Sequence, residues 1–167
     1  MTESFELKHI SKSAVGPAIE RAERYRLLSD PEQSESICLD VLEVDPGNPQ
    51  ALVMLILATT DQFGRSEGGP GAERSLEYVQ QLTDEYQRAY YTGIIRERQA
   101  RARLRSGPAK AFAYDGLRDA MEWYEKAELL RPLGNDEAIL RWNACVRTIR
   151  RAGLRPWSEE RTEPPFE

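Results

Sequence analysis

The chain has 167 residues, of which 40% are hydrophobic and 31% charged, and its net charge is −5. This length fits one ordinary domain, and the composition is typical of a folded, water-soluble protein. The longest apolar run, 51–58, is far shorter than the roughly 20 residues of a membrane-spanning helix. The N-terminus has no uninterrupted apolar segment of the kind found in signal peptides, so we expect a cytoplasmic protein without membrane association. The acidic balance disfavours general attraction to nucleic acid.

Side chains suited to metal binding or catalysis are few. The two cysteines, Cys38 and Cys145, are widely separated within helical patterns, which predicts small buried hydrophobic residues and not a disulfide or a zinc site. The sole histidine, His9, lies in a polar segment without a second histidine nearby. No glycine-rich stretch has the lysine-serine or lysine-threonine ending of a phosphate-binding loop. We therefore expect no metal, no cofactor and no catalytic residues.

Helix start signals recur along the chain. From Ser29 to Glu32, a capping oxygen, a proline suited to a first turn and an acidic residue follow one another. Similar signals occur at Asn48, Asp84 and Asn135, each before apolar residues spaced by three and four. They predict an all-α chain with helices over about 14–28, 31–44, 49–63, 71–82, 84–105, 115–130 and 136–151.

Glycine and proline mark the predicted ends of helices. The segment 64–71, GRSEGGPG, is expected to be a loop, because its glycines raise backbone entropy and its proline removes a hydrogen-bond donor. After Gly153 the sequence combines prolines with charge and has no helical period, which predicts an extended or disordered tail. The expected organisation is an N-terminal segment 1–13, a helical domain 14–152 and a tail 153–167.

A spacing pattern links several of the predicted helices. Ala120, Tyr124, Ala127 and Pro132 follow the order A-x3-aromatic-x2-A-x4-P, which resembles the second-helix signature of the tetratricopeptide repeat. The same spacing recurs, the third time less faithfully, at Ser34, Cys38, Val41 and Pro46 and at Ala72, Leu76, Val79 and Asp84. In the first helices, Ala22, Tyr25 and Gly93 stand where the family places small or aromatic residues.

The resemblance covers about residues 14–151 and implies a right-handed superhelical stack of antiparallel helix pairs, an α-solenoid of about seven helices. The implied stack consists of about three repeats and a capping helix at 136–151. In this family the first helix of each pair lines a concave groove that binds a partner protein. The lysine-asparagine pairing by which some relatives hold a terminal carboxylate is absent. The groove residues implied for this chain are Ile19, Glu23, Arg26, Val53, Leu57, Tyr91, Ile95, Arg98, Ile139 and Asn143.

Arginines crowd one predicted helix, at positions 96, 98, 101, 103 and 105. Arg98, Arg101 and Arg105 share one face at steps of three and four residues, a pattern suited to gripping an acidic peptide or a phosphate. The interpretation that we favour is a basic helix whose arginines pair with acidic neighbours.

The first hypothesis for function is a non-catalytic adaptor that binds a peptide or helix of a partner protein in a partly apolar groove, with Arg98 and Arg26 adding charge complementarity. The second is a structural module that associates with copies of itself, as a homo-oligomer. A nucleic-acid binder acting through the helix from Arg96 to Arg105 is a third, less favoured because the chain is acidic overall.

Overall fold

The computed structural model describes residues 3–65 and 71–160, without the side chains of 108, 109 and 160. Every regular element in these two ranges is helical, as predicted, and seven helices are longer than one or two turns. They are α1 (Val15–Leu27), α2 (Pro31–Val44), α3 (Pro49–Asp61), α4 (Ala72–Gln80), α5 (Glu85–Arg105), α6 (Ala113–Leu130) and α7 (Glu137–Ala152). Lys12–Ala14 and Gly107–Phe112 form 3-10 helices, and α8 is the short helix Trp157–Glu160.

The predicted start signals act as helix caps. The side chains of Asp30, Asn48 and Asp84 accept hydrogen bonds from the backbone N–H three residues further on, at 3.2, 3.0 and 2.8 Å. These bonds satisfy donors that the first turn of a helix leaves unpaired. At α7 the cap comes from Asn135 and not from Asp136, because the Asn135 side chain accepts from the first backbone N–H of the helix at 3.1 Å.

Helices that follow one another in the chain pack side by side, from α1 and α2 through to α6 and α7. In addition, α3 contacts both α1 and α5. The residues at the recurring spacing form the interior of these contacts. Fully buried are Ser34, Cys38 and Val41 on α2 and Ala120, Tyr124 and Ala127 on α6. Small side chains at such positions let two helices approach, and larger ones fill the space between them.

The closest approach of this kind joins α5 and α6 at Gly93. A Cβ added to Gly93 would lie 2.6 Å from Cε1 of Tyr124, whose ring is fully buried. The missing side chain of Gly93 therefore makes room for the Tyr124 ring.

We predict that Gly93→Ala destabilises the fold by about 1–2 kcal/mol, because overpacking outweighs the gain in helix propensity of about 1 kcal/mol. Gly16→Ala on α1 is the matched control, since a Cβ there meets no atom within 4 Å. That change should leave stability unchanged or raise it slightly. Urea unfolding of both variants measures the difference, and equal midpoints would contradict the packing argument.

One expectation about the last third of the chain is wrong. The sixth helix, Ala113–Leu130, agrees with the predicted span of about 115–130, but the tail is not extended throughout. Residues 157–160 are helical and not extended, because Trp157 stacks on Phe112 with ring centroids 4.9 Å apart. The backbone N–H of Trp157 also donates to Asp115 at 3.4 Å. Residues 161–167 of the predicted tail, and 66–70 of the predicted loop, lie outside the described residues.

Neither described range contains a helix that is both long enough and apolar enough to cross a lipid bilayer.

Candidate partner-binding face

One side of the molecule is defined by charged contacts between the odd-numbered helices. Asp61, at the end of α3, accepts from Arg26 of α1 at 2.7 Å and from Arg98 of α5 at 2.6 Å. Arg98 Nη1 also donates to the backbone carbonyl of Leu57 at 3.1 Å and to the hydroxyl of Thr60 at 2.8 Å. The side chains of all three charged residues are about four-fifths buried. Asp61 therefore joins α1, α3 and α5.

A second acidic residue has the same role between α5, α6 and α7. Glu97 is fully buried, and the Tyr124 hydroxyl donates to its Oε2 at 2.5 Å. Arg101 Nη2 and Nε lie 2.8 and 2.9 Å from Oε1, and Arg141 Nε of α7 lies 3.1 Å from Oε2. Arg101 also donates to the Thr148 hydroxyl on α7 at 3.0 Å. A buried carboxylate is tolerated when cations and hydrogen bonds compensate its charge in this way.

We call these six side chains the charged row: Arg26, Asp61, Arg98, Glu97, Arg101 and Arg141. Burial shifts the ionisation of several groups in and beside it. Burial lowers the pKa of Arg98, and Asp61 offsets this only in part. Burial also opposes the charge of Arg141, but the nearby Glu97 and Tyr124 outweigh it and raise the pKa of Arg141 overall. Both guanidinium groups stay charged at neutral pH.

Burial, followed by the adjacent Glu97 carboxylate, raises the pKa of Tyr124 far above its ordinary value of 10.0. The Tyr124 hydroxyl consequently keeps its proton and remains a donor to Glu97. Burial likewise raises the pKa of Tyr91 to about 12.

We predict that Glu97→Ala lowers the free energy of unfolding by about 3 kcal/mol, because it removes the hydrogen-bond acceptor of Tyr124 and Arg101 and the ion-pair partner of Arg141. This value is at the lower end of the range for broken buried pairs, since the arginine side chains are about one-third exposed and can turn to water. The exposed Glu122 on α6 is the control, and Glu122→Ala should cost less than about 0.5 kcal/mol. Urea denaturation would contradict the role of Glu97 if both variants had the same midpoint.

Next to the charged row lies a polar pocket of about 420 Å³, which we call the arginine pocket. It is lined by Thr60, Asp61, Phe63, Gly64, Arg65, Arg98, Arg101 and Arg105. Four arginines and one aspartate give its lining a net charge of +3. Arg65 and Arg105 are exposed, and in the described ranges neither has an acidic partner within ion-pair distance.

The predicted groove residues differ in their burial and in their contacts. Arg26 and Arg98 belong to the charged row, as described. Leu57 and Tyr91 are partly buried beside it, where they pack against the hydrophobic core. On α1, Glu23 is exposed and Ile19 is partly buried.

Ile95 has no exposed surface, so its assignment to a partner-binding groove is wrong. It belongs to a core cluster with Leu52 and Ile56 of α3 and Val79 of α4. Val53, on the same side of α3, packs at the edge of that cluster. The α5 side chains of the charged row instead stand two, three and six positions further along the helix.

On α7 the residues that make polar contacts with α5 differ from those predicted for the groove. Arg141 forms an ion pair with Glu97, and Thr148 accepts a hydrogen bond from Arg101. Ile139 and Asn143 each stand two residues from Arg141, and residues two apart do not share a helix face. Both are partly buried, and neither belongs to the charged row.

The arginine-rich helix is paired with acidic residues, which confirms the favoured interpretation for three of its arginines. Arg96 lies 3.2 Å from Asp119, and Arg98 and Arg101 are held by Asp61 and Glu97. Asp61 and Glu97, the two carboxylates that hold these arginines, were not identified from the sequence. A signal was present for Glu97, because Tyr90, Ile94 and Glu97 follow one another at steps of four and three along a largely buried stripe of α5.

A separate, apolar surface lies at the other end of α5 and α6. A pocket of about 440 Å³ is lined by Glu85, Arg88, Ala89, Trp123, Lys126, Leu129 and Leu130. The ammonium group of Lys126 lies 4.0 Å from the centre of the Trp123 ring, and Leu129 and the neighbouring Leu133 are almost fully exposed. We call Trp123, Leu129, Leu130 and Leu133 the leucine patch.

Cys38 and Cys145 are free thiols and fully buried, as predicted, and burial raises the pKa of each to about 12. His9 is exposed. In the portions of the chain that are described, no group of three or more His, Cys, Asp or Glu side chains is arranged to hold a metal ion.

No family model, curated protein or solved structure matches this chain. Inferences about its function therefore depend on the charged row, the arginine pocket and the leucine patch.

Proposed function

We propose that this protein is a non-catalytic adaptor that binds an acidic segment of a partner protein on the face that carries the charged row. The observation that supports this most directly is the local surplus of positive charge. The lining of the arginine pocket carries +3 in a chain whose net charge is −5. Within 3–65 and 71–160, Arg65 and Arg105 take no part in the ion pairs that hold the helices together, so we propose that their charge meets a ligand.

The chemistry around the pocket favours a peptide over a small metabolite. Leu57 and Tyr91 present partly exposed apolar surface near the ion pairs of Asp61. Acidic side chains of an extended peptide would meet the arginines, while its apolar side chains would contact Leu57 and Tyr91. The ion pairs already fix Arg98 and Arg101 in place, which lowers the entropy cost of binding.

The assignment to a tetratricopeptide-like class, with helix pairs stacked in a right-handed superhelix, is part of this proposal. It is supported by the pairwise packing of successive helices and by the burial of the small residues at the repeat spacing. The cytoplasmic location expected from the sequence stays a prediction.

We predict that random unphosphorylated peptides displayed on phage and selected on the immobilised protein are enriched in Asp and Glu. A selected peptide should bind Arg105→Glu at least about tenfold more weakly than wild type, because the change turns an attraction into a repulsion. Arg24→Glu on α1 makes the same charge change at an exposed position outside the pocket, and it should have little effect. Selected peptides without acidic enrichment, or equal losses in both variants, would count against the proposal.

The leucine patch favours a second candidate function, self-association. Leu129 and Leu133 are 88% and 106% exposed, which is costly for side chains of this size unless another surface covers them. Their neighbours Arg88, Lys126 and Glu85 supply a charged rim of both signs, as at many protein interfaces.

If copies of the chain pair through this patch, sedimentation equilibrium will give a mass above 19.1 kDa that rises with protein concentration. Leu129→Glu combined with Leu133→Glu should return the mass to that of the monomer, because it places charge in the covered surface. The matched control is Leu27→Glu combined with Leu28→Glu, which changes two exposed leucines at the end of α1. A wild type that stays monomeric at high concentration would exclude this candidate.

A further inference from the structure

The arginines of the arginine pocket offer more N–H hydrogen-bond donors than one acidic side chain of a partner can accept from. Within the described residues Arg98 makes all its bonds through Nη1, so its Nε and Nη2 groups remain as donors. Arg65 and Arg105 add two complete guanidinium groups at the rim. A guanidinium group offers five N–H donors in a fixed plane, a geometry that matches the oxygens of a phosphate in pairs.

Charge balance points to a dianion. Among the described residues, Asp61 is the only acidic one that lines the pocket, and it is already shared by Arg26 and Arg98. Glu97, behind the lining, neutralises Arg101, so the pocket's four arginines keep a net charge of +2, of which a single carboxylate of a ligand would compensate only half. A phosphorylated serine or threonine carries about −1.5 to −2 at neutral pH and three strong acceptor oxygens.

We propose that the arginine pocket is a binding site for a phosphorylated serine or threonine side chain of the partner segment. This inference rests on the proposed function and narrows it, because it names the chemical group that the face recognises. Arg98 and Arg101 form the fixed floor of the site, held by Asp61 and Glu97. Arg65 and Arg105 approach the phosphate from the exposed rim.

The distribution of charge separates this ligand from a nucleic acid. Four of the chain's 23 lysine and arginine residues line this pocket of about 420 Å³, and the rest of the chain carries −8 once the lining's +3 is subtracted from the total of −5. A nucleic acid brings a row of phosphates, and those outside the pocket would meet a chain whose remaining charge is net negative. A peptide with one phosphorylated residue brings a single dianion.

The experiment uses the full chain and three pools of fluorescent peptides that share the same degenerate flanks around a central phosphoserine, serine or glutamate. Wild type should bind the phosphoserine pool at least about tenfold more tightly than the serine pool, and more tightly than the glutamate pool. Arg65→Gln combined with Arg105→Gln should remove most of this preference. Arg21→Gln combined with Arg24→Gln, which removes the same charge from exposed positions on α1, should keep it.

The outcomes distinguish this inference from the proposed function. Equal affinity for all three pools, alongside retained binding of the acidic unphosphorylated phage peptides, would overturn the phosphate site and leave the adaptor proposal standing. Failure of every peptide to bind would overturn both. Equal losses in the two double variants would show a general charge effect and overturn the site.

A competition arm tests the alternative ligand. Inorganic phosphate at constant ionic strength should displace the phosphoserine pool and should shift the NMR signal of the Gly64 backbone amide, which lines the pocket. A single-stranded oligonucleotide that displaces the pool more effectively than an unlabelled phosphopeptide at equal phosphate concentration would overturn the inference in favour of nucleic acid.

Discussion

The buried carboxylate of Glu97 is the interaction on which the second half of this fold depends. Its two oxygens are bonded by Tyr124 from α6 and by Arg101 from its own helix, and Arg141 approaches from α7. Hydrophobic packing alone is not directional, whereas these contacts fix how the three helices are rotated relative to one another. Tyr124 fits between α5 and α6 because Gly93 has no side chain in its path. Tyr124 therefore takes part in both constraints: its hydroxyl bonds to Glu97, and its ring occupies the space beside Gly93.

Asp61 provides the corresponding constraint in the first half of the chain. Like Glu97, it is bracketed by two arginines, and it joins three helices. Both acidic residues lie where odd-numbered helices meet, so the cations that neutralise them also face this side of the molecule. The arginines that hold the helices are therefore neighbours of Arg65 and Arg105, which have no acidic partner among the described residues. This is the physical link between the stability of the fold and the binding properties that we propose for the face.

Sequence reasoning succeeded where the determining interactions are local. A capping bond such as that of Asp30 spans three residues, and the burial of Cys38 or Ala120 follows from periodic spacing. It failed where distant parts of the chain meet. Trp157 is helical because of its contact with Phe112, which lies 45 positions earlier in the numbering, and no nearby residue signals this contact. The burial of Glu97 likewise depends on α6 and α7.

The errors at the site have a related cause. A repeat spacing predicts which residues are in the core, but it predicts poorly which neighbouring position faces outward, since one residue changes the direction by about 100° on a helix. Ile95 was predicted to line a groove although it is fully buried and packs against α3 and α4. Ion pairs between helices could not be assigned either, because any of several arginines on α5 had suitable spacing.

The most direct test of the adaptor account is to locate a bound acidic peptide by NMR. A selected peptide carrying a spin label broadens the amide signals of nearby residues in the ¹⁵N-labelled protein. The account predicts broadening at Gly64, Arg98 and Arg105 around the arginine pocket, with little effect on the amides of α2. Broadening centred on Leu129 and Leu133, or spread evenly over all helices, would contradict it.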